Sequence, residues 1–208
     1  MKKLFVIEDN SYTSDWAFGE MADPINNGGW PKCPSCGLTI GLRDWLPPFR
    51  IKLSKGVKTN KPGDLIYGEF YDFMVSERFR EVWEKAKLKG IIEWRPVEIV
   101  GPRAVLFKYF YPLYRPATAI PDFNRMIVVW AKEPPKCEVC YSAGIDAKKG
   151  IYLKEDSIPD DDLFKYRGGV NVLTSQNFKD ISEEAALTNI ELIPAESFKW
   201  DPLGKIKD

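Results

Sequence analysis

Apolar positions recur along this chain with two different periods, and the same succession of periods occurs twice. Phe79, Val82, Trp83 and Ala86 fall on the i, i+3, i+4, i+7 stripe of one helical face. Ser76 is the predicted N-cap of that helix, Glu81 and Lys85 are spaced to pair on its outer side, and Gly90 is the expected left-handed stop. Downstream, Ser175 is expected to cap a second helix that turns Phe178, Ile181 and Ala185 inward. Short apolar runs at 91–94 and 190–193 follow the helices and read as strands. The correspondence extends to single residues. Ser76, Phe79, Leu88 and Ile91 return 99 positions later as Ser175, Phe178, Leu187 and Ile190, and Pro96 returns 98 positions later as Pro194. This predicts an internal duplication.

Between the two segments, residues 103–111 and 126–130 read as strands and 114–121 as a loop. The run 105–111 carries aromatic residues on both faces, as expected of a central strand or of a strand with one face buried and the other held for a partner. Stretches rich in Gly, Pro and Asn at 26–29 and 57–63 read as loops.

All four cysteines lie in two CxxC pairs, Cys33/Cys36 and Cys137/Cys140. Two thiolates three residues apart can face one ion when the chain turns tightly between them, and two such knuckles supply the four ligands of a tetrahedral zinc. Gly37 follows the first pair and permits a positive φ. Trp30-Pro31 and Pro134-Pro135 keep both approaches out of helix. Cys36 and Cys137 are 101 positions apart, far more than in an ordinary zinc ribbon. Closing a loop of about 100 residues costs roughly 4 kcal/mol plus a constant, whereas a structural zinc contributes on the order of 10–16 kcal/mol in small peptides. The ion outweighs the loop, so one structural zinc on Cys33, Cys36, Cys137 and Cys140 is the expectation. A redox CxxC, two disulfides and a catalytic zinc are the competing readings.

Composition narrows the function. The 208 residues contain no histidine, which removes Ser-His-Asp and Cys-His catalysis and any His-ligated metal. Glu, Asp, Lys and Tyr remain available, but with four thiolates filling the metal shell the chain is expected not to be an enzyme. Thirty basic residues balance thirty acidic ones, which argues against a nucleic-acid surface. No apolar run reaches the roughly 18 residues that span a bilayer, and only four apolar residues follow Lys2-Lys3, so a cytoplasmic location without membrane contact is expected. Asp156, Asp160, Asp161 and Asp162 cluster around a proline turn, either as a solvated loop or as a surface for a basic partner.

These elements predict an α+β protein of two related halves, each a CxxC zinc knuckle plus a strand–helix–strand element, joined by a mixed or antiparallel sheet. The first half covers about 1–100, the central strands about 101–132 and the second half about 133–208, all in one zinc-stapled domain.

With both CxxC pairs and the repeated Ser-x-x-Phe, Leu-x-x-Ile and Pro element in view, the chain resembles the double-CXXCG motif proteins. That bacterial family includes immunity proteins for contact-delivered toxins. The residues carrying the resemblance are 135–140, Asp162-Leu163-Phe164 and 175–194, with a first segment at 75–97 similar to an element of bacterial immunity domains. Gly37 matches the family glycine, whereas Tyr141 stands where the second glycine is expected. The resemblance implies a cytoplasmic protein that binds and neutralises a toxin. Candidate partner contacts are Tyr109, Tyr111 and Tyr114 with Asp160, Asp161 and Asp162. A zinc-ribbon adaptor in nucleic-acid or transcription-related complexes is the alternative.

Overall fold

The computed structural model describes residues 2–8, 16–54, 62–69, 73–101 and 107–207. In chain order the elements are β1 (Leu4–Glu8), β2 (Gly19–Met21), β3 (Asn26–Asn27), β4 (Trp45–Leu46), β5 (Arg50–Leu53), β6 (Leu65–Tyr67), β7 (Phe73–Ser76), α1 (Glu77–Lys85), β8 (Ile91–Val100), β9 (Tyr109–Tyr114), β10 (Ile127–Trp130), β11 (Ile145–Lys149), β12 (Leu163–Lys165), β13 (Val172–Ser175), α2 (Gln176–Glu184), β14 (Glu191–Pro194) and β15 (Lys199–Trp200). With two short helices among many strands, the class is α+β.

The strands form a six-stranded sheet, β2-β5-β8-β9-β7-β6, and a four-stranded sheet, β12-β13-β1-β14, with smaller sheets β10-β11-β15 and β3-β4. In the six-stranded sheet β5 and β8 run parallel while the other pairings are antiparallel, so that sheet is mixed. The two large sheets are separate, contrary to the expectation of one joining sheet. Each is completed by a strand from elsewhere in the chain. β1, from the start of the chain, sits between β13 and β14, and β9 sits between β7 and β8. Phe5 lies opposite Pro194 in one sheet, and Phe110 lies opposite Pro96 in the other.

Alternation along the strands divides the core. Leu65, Phe73 and Val75 from one sheet and Ile7, Leu163 and Val172 from the other meet in a central cluster. Phe79 and Trp83 of α1 and Phe178 of α2 complete it, with the Phe79 and Phe178 rings 5.7 Å apart. The alternate residues Ile66 and Met74 turn to a second cluster around Trp45 and Phe49, and Phe164 and Leu173 turn to a third around Met126 and Phe198.

Both helices start as the sequence predicts. The Ser76 hydroxyl accepts the Phe79 N–H and the Ser175 hydroxyl accepts the Phe178 N–H, each at 3.1 Å. They end differently. Each closes at an alanine, Ala86 or Ala185, and the left-handed residues after them are Lys87 (φ 56°) and Ala186 (φ 48°). Gly90 (φ 120°) is therefore not the helix stop; a Cβ there would lie 1.9 Å from the Leu163 carbonyl oxygen. On the outer face of α1 the ion pair joins Arg80 to Glu84 rather than Glu81 to Lys85.

The predicted strand at 103–111 begins, among the described residues, only at Tyr109, and it continues through the expected loop start to Tyr114; residues 103–106 lie outside the described residues. The expected 57–63 loop falls outside them except for 62–63. Of the expected 26–29 loop, Asn26 and Asn27 instead pair with Leu46 and Trp45. Among the described residues no helix is long and apolar enough to cross a membrane.

Candidate metal centre

The two CxxC segments fold as tight turns with matching backbone bonds. The Gly37 N–H donates to the Cys33 carbonyl and the Tyr141 N–H donates to the Cys137 carbonyl, each at 2.9 Å. Both turns then need a left-handed residue: Gly37 adopts φ 71° and Tyr141 φ 53°. Tyrosine thus takes the conformation that glycine takes in the first turn, at a local steric cost of about 1–2 kcal/mol. The rest of the fold holds it there. Gly168, in the β12–β13 connection, packs so closely that a Cβ would come within 2.1 Å of the Tyr141 carbonyl oxygen. The Ser142 hydroxyl donates to the Thr39 carbonyl at 3.1 Å and ties one turn to the other.

This packing brings all four sulfurs within 4.8 Å of one another. Cys33 Sγ lies 3.9 Å from Cys137 Sγ, and Cys36 Sγ lies 3.8 Å from Cys140 Sγ. A disulfide has its sulfurs only about 2.05 Å apart, and all four cysteines are free thiols. The competing reading of two disulfides is therefore not met. A tetrahedron with metal–sulfur bonds of about 2.3 Å has edges of about 3.8 Å, so the separations fit four thiolates around one metal ion. Cys33 and Cys140 are buried and Cys36 is exposed. The N–H groups of Cys140 and Val139 point at Cys137 Sγ and hold its thiol down to about 6, which prepares a thiolate at neutral pH. Burial pushes Cys140 in the opposite direction, up to about 12.

The candidate partner residues are placed less uniformly. Tyr109 is buried, and its hydroxyl donates to the Gly63 carbonyl at 2.6 Å, so it offers no surface. Tyr111 is half-buried against Trp45 and Phe49, and Tyr114 packs on Phe73 with the Lys165 ammonium over its ring. Asp161 is buried along its side chain and pairs with Arg115 at 3.3 Å. Asp162 turns inward to Ser175, Asn177 and the Lys89 N–H. Asp160 alone of the three points outward, with its side chain 86% exposed and paired to Lys89 and Lys2. Alternation of aromatics and a run of acids do not by themselves distinguish a core face from a free one.

Two residues escaped the reading of the sequence. Asp64 does for α1 what Asp162 does for α2: its carboxylate accepts the N-cap hydroxyl, here Ser76, at 2.6 Å. The signal was present as Asp64-Leu65 and Asp162-Leu163, 98 positions apart. Lys148, nearly fully buried beside a cavity, had no signal; it is one of two adjacent lysines in a short strand.

No family model matches the chain, and no curated protein is significantly similar to it.

Proposed function

We propose that this chain is an immunity protein that binds and neutralises a cognate bacterial toxin, and that its four thiolates hold a structural zinc. The observation carrying this reading is the convergence of two CxxC turns, 104 positions apart, at tetrahedral sulfur spacing. It agrees with the paired CxxC motifs on which the resemblance to double-CXXCG motif proteins rests. Soft thiolates in a tetrahedral set favour zinc over hard cations, and four of them leave no open position for a reactive water. The ion's part is then to staple, and the chain's part is to bind. Free thiols agree with a reducing compartment such as the cytoplasm.

The same reading takes the two strand–helix–strand segments as copies of one ancestral unit. Supporting it are the matched caps at Ser76 and Ser175, the matched carboxylates at Asp64 and Asp162, the matched left-handed residues at Lys87 and Ala186, and the facing pairs Phe5/Pro194 and Phe110/Pro96.

The test is co-expression with toxins encoded beside this chain's gene. Cells carrying the cognate toxin survive only when this protein is present, and the two purify as a stoichiometric complex. Survival and co-purification failing with every neighbouring toxin would overturn the reading. A salt-dependent shift of duplex DNA or RNA would favour the adaptor alternative instead.

A further inference from the structure

A cavity of about 550 Å³ opens between the small β10-β11-β15 sheet, the end of β1 at Glu8 and β6 at Tyr67. It falls within the usual range of small-molecule sites, roughly 300–1,000 Å³. Phe18, Tyr67, Val170, Phe198 and Trp200 supply its apolar lining. Phe198 is buried, whereas Phe18, Val170 and Trp200 are 37%, 52% and 43% exposed and form an apolar mouth.

Lys148 of β11 lies inside, only 6% exposed. Its ammonium donates to Asn171 Oδ1 at 2.6 Å and to the Tyr166 hydroxyl at 3.1 Å, and the Tyr166 and Phe198 rings lie 5.8 and 5.6 Å away. An ammonium has three N–H bonds, and among the described residues it has these two acceptors. Both are neutral. Glu8 lines the same cavity and favours the charged form, but burial outweighs it and lowers the amine to about 8, still mostly protonated at neutral pH. A strand position packed only for stability would carry an apolar residue here, since removing a charge from water costs several kcal/mol.

We propose that this cavity binds a small carboxylate with an aromatic or apolar body, its carboxylate on the Lys148 ammonium and its body between Phe18, Phe198 and Trp200. The anion supplies a third acceptor, which the ammonium does not find among the described residues, and offsets the desolvation of the charge. The body removes the exposed rings of the mouth from water. Gly168 and Gly169 line the same wall, and Gly169 packs so closely on the Tyr166 ring that a Cβ there would come within 2.1 Å of it. This site is independent of the toxin reading and stands or falls separately from it.

Phenylacetate and its neutral amide, phenylacetamide, distinguish the two parts of the proposal. Each is titrated into the whole metal-loaded protein while backbone amide NMR shifts are followed at Lys148, residues 168–171 and Trp200. The expected result is saturable shifts with phenylacetate at a Kd on the order of 1 mM or tighter, and at least about tenfold weaker binding of the amide. K148M abolishes the preference for the acid over the amide. W200A, at an exposed position of a two-residue strand, folds normally and weakens both probes several-fold, so the proposal remains testable if K148M does not fold. No saturable shift with phenylacetate, equal binding of acid and amide, or wild-type affinity for the acid in K148M or W200A would overturn it.

Discussion

Asp64 and Asp162 make the same connection in opposite directions. Asp64 lies just before β6 and accepts the Thr188 N–H from the turn after α2; Asp162 lies just before β12 and accepts the Lys89 N–H from the turn after α1, both at 2.9 Å. Each carboxylate also accepts a hydrogen bond from the hydroxyl of its own helix's N-cap serine, which in turn accepts a helix N–H. One carboxylate therefore links a helix N-terminus to the far end of the other helix, and the arrangement occurs twice.

D64A is expected to be the more destabilising of the two alanine variants. The Asp64 carboxylate is almost wholly buried and serves Ser76, Arg78 and both donors of Thr188. Removing it leaves the Arg78 charge and several donors without their partner, a loss of about 3–4 kcal/mol. Asp162 is half-buried and has no charged partner at hydrogen-bonding distance among the described residues, so D162A should lose about 2 kcal/mol. Urea unfolding reads both, with unchanged m-values expected because the surface exposed is the same. Equal losses would show that the Arg78 charge contributes nothing.

What was legible in the sequence follows from the range of each interaction. The helices were readable because a cap and an apolar stripe are local; Ser76 and Phe79 are three residues apart. The knuckles were readable because thiolate chemistry demands four ligands whatever separates them. The position of β1 was not readable. Leu4, Phe5, Val6 and Ile7 announce burial, but period and composition do not say that the partners are β13 and β14, more than 160 residues on. The same limit affected Gly90. A positive φ near a helix end reads as a stop, whereas the demand comes from the Leu163 backbone arriving from the distant β12. Likewise Asp162 reads as one of a run of surface acids, because nothing local shows that it faces Ser175.

Gly90 and Gly204 separate crowding from backbone strain. Both have positive φ, 120° and 62°, yet a Cβ at Gly204 meets nothing within 4 Å while one at Gly90 strikes backbone. G204A should cost about 1 kcal/mol from conformation alone. G90A has to displace β12, or the turn before β8, and should cost more than about 3 kcal/mol or prevent folding. Thermal melts of the two variants, run side by side, check the contrast. Similar melting temperatures would mean that the β8 and β12 approaches separate freely.

Removing the metal should loosen the whole molecule and not one loop. An ion held by all four sulfurs would join turns about 100 residues apart, and the loop-closure entropy it would offset is roughly 4 kcal/mol. Native protein is expected to hold one zinc, with all four thiols unreactive towards a thiol reagent until a strong chelator is added. Chelation should then expose four thiols and lower the melting temperature, with Trp and far-ultraviolet signals moving together. A chelated sample that melts where the loaded one does would remove the staple from the account.

Lys148 should reveal itself through the pH dependence of stability. The groups acting on its amine are the Glu8 charge, the Tyr166 phenol and the Asn171 amide, while the Tyr67 hydroxyl in the same cavity donates to the Ile7 carbonyl; burial raises the Tyr166 phenol, which therefore stays neutral across the window. The amine has a folded value of about 8 and an unfolded value near 10.4. Between these the unfolded chain binds more protons than the folded one, so stability rises with pH. The cost of the buried charge is complete below pH 8 and relieved as the pH approaches about 10.4. Because other lysines and tyrosines titrate in the same interval, the readout is wild type minus K148M in urea unfolding at a series of pH values. K148M lacks the titration but also strands Asn171 Oδ1, a fixed penalty that does not vary with pH. The difference should therefore move in favour of wild type by about 2–3 kcal/mol from pH 7 to pH 10.5. A flat difference would mean that water reaches the ammonium and that the cavity floor is not dry.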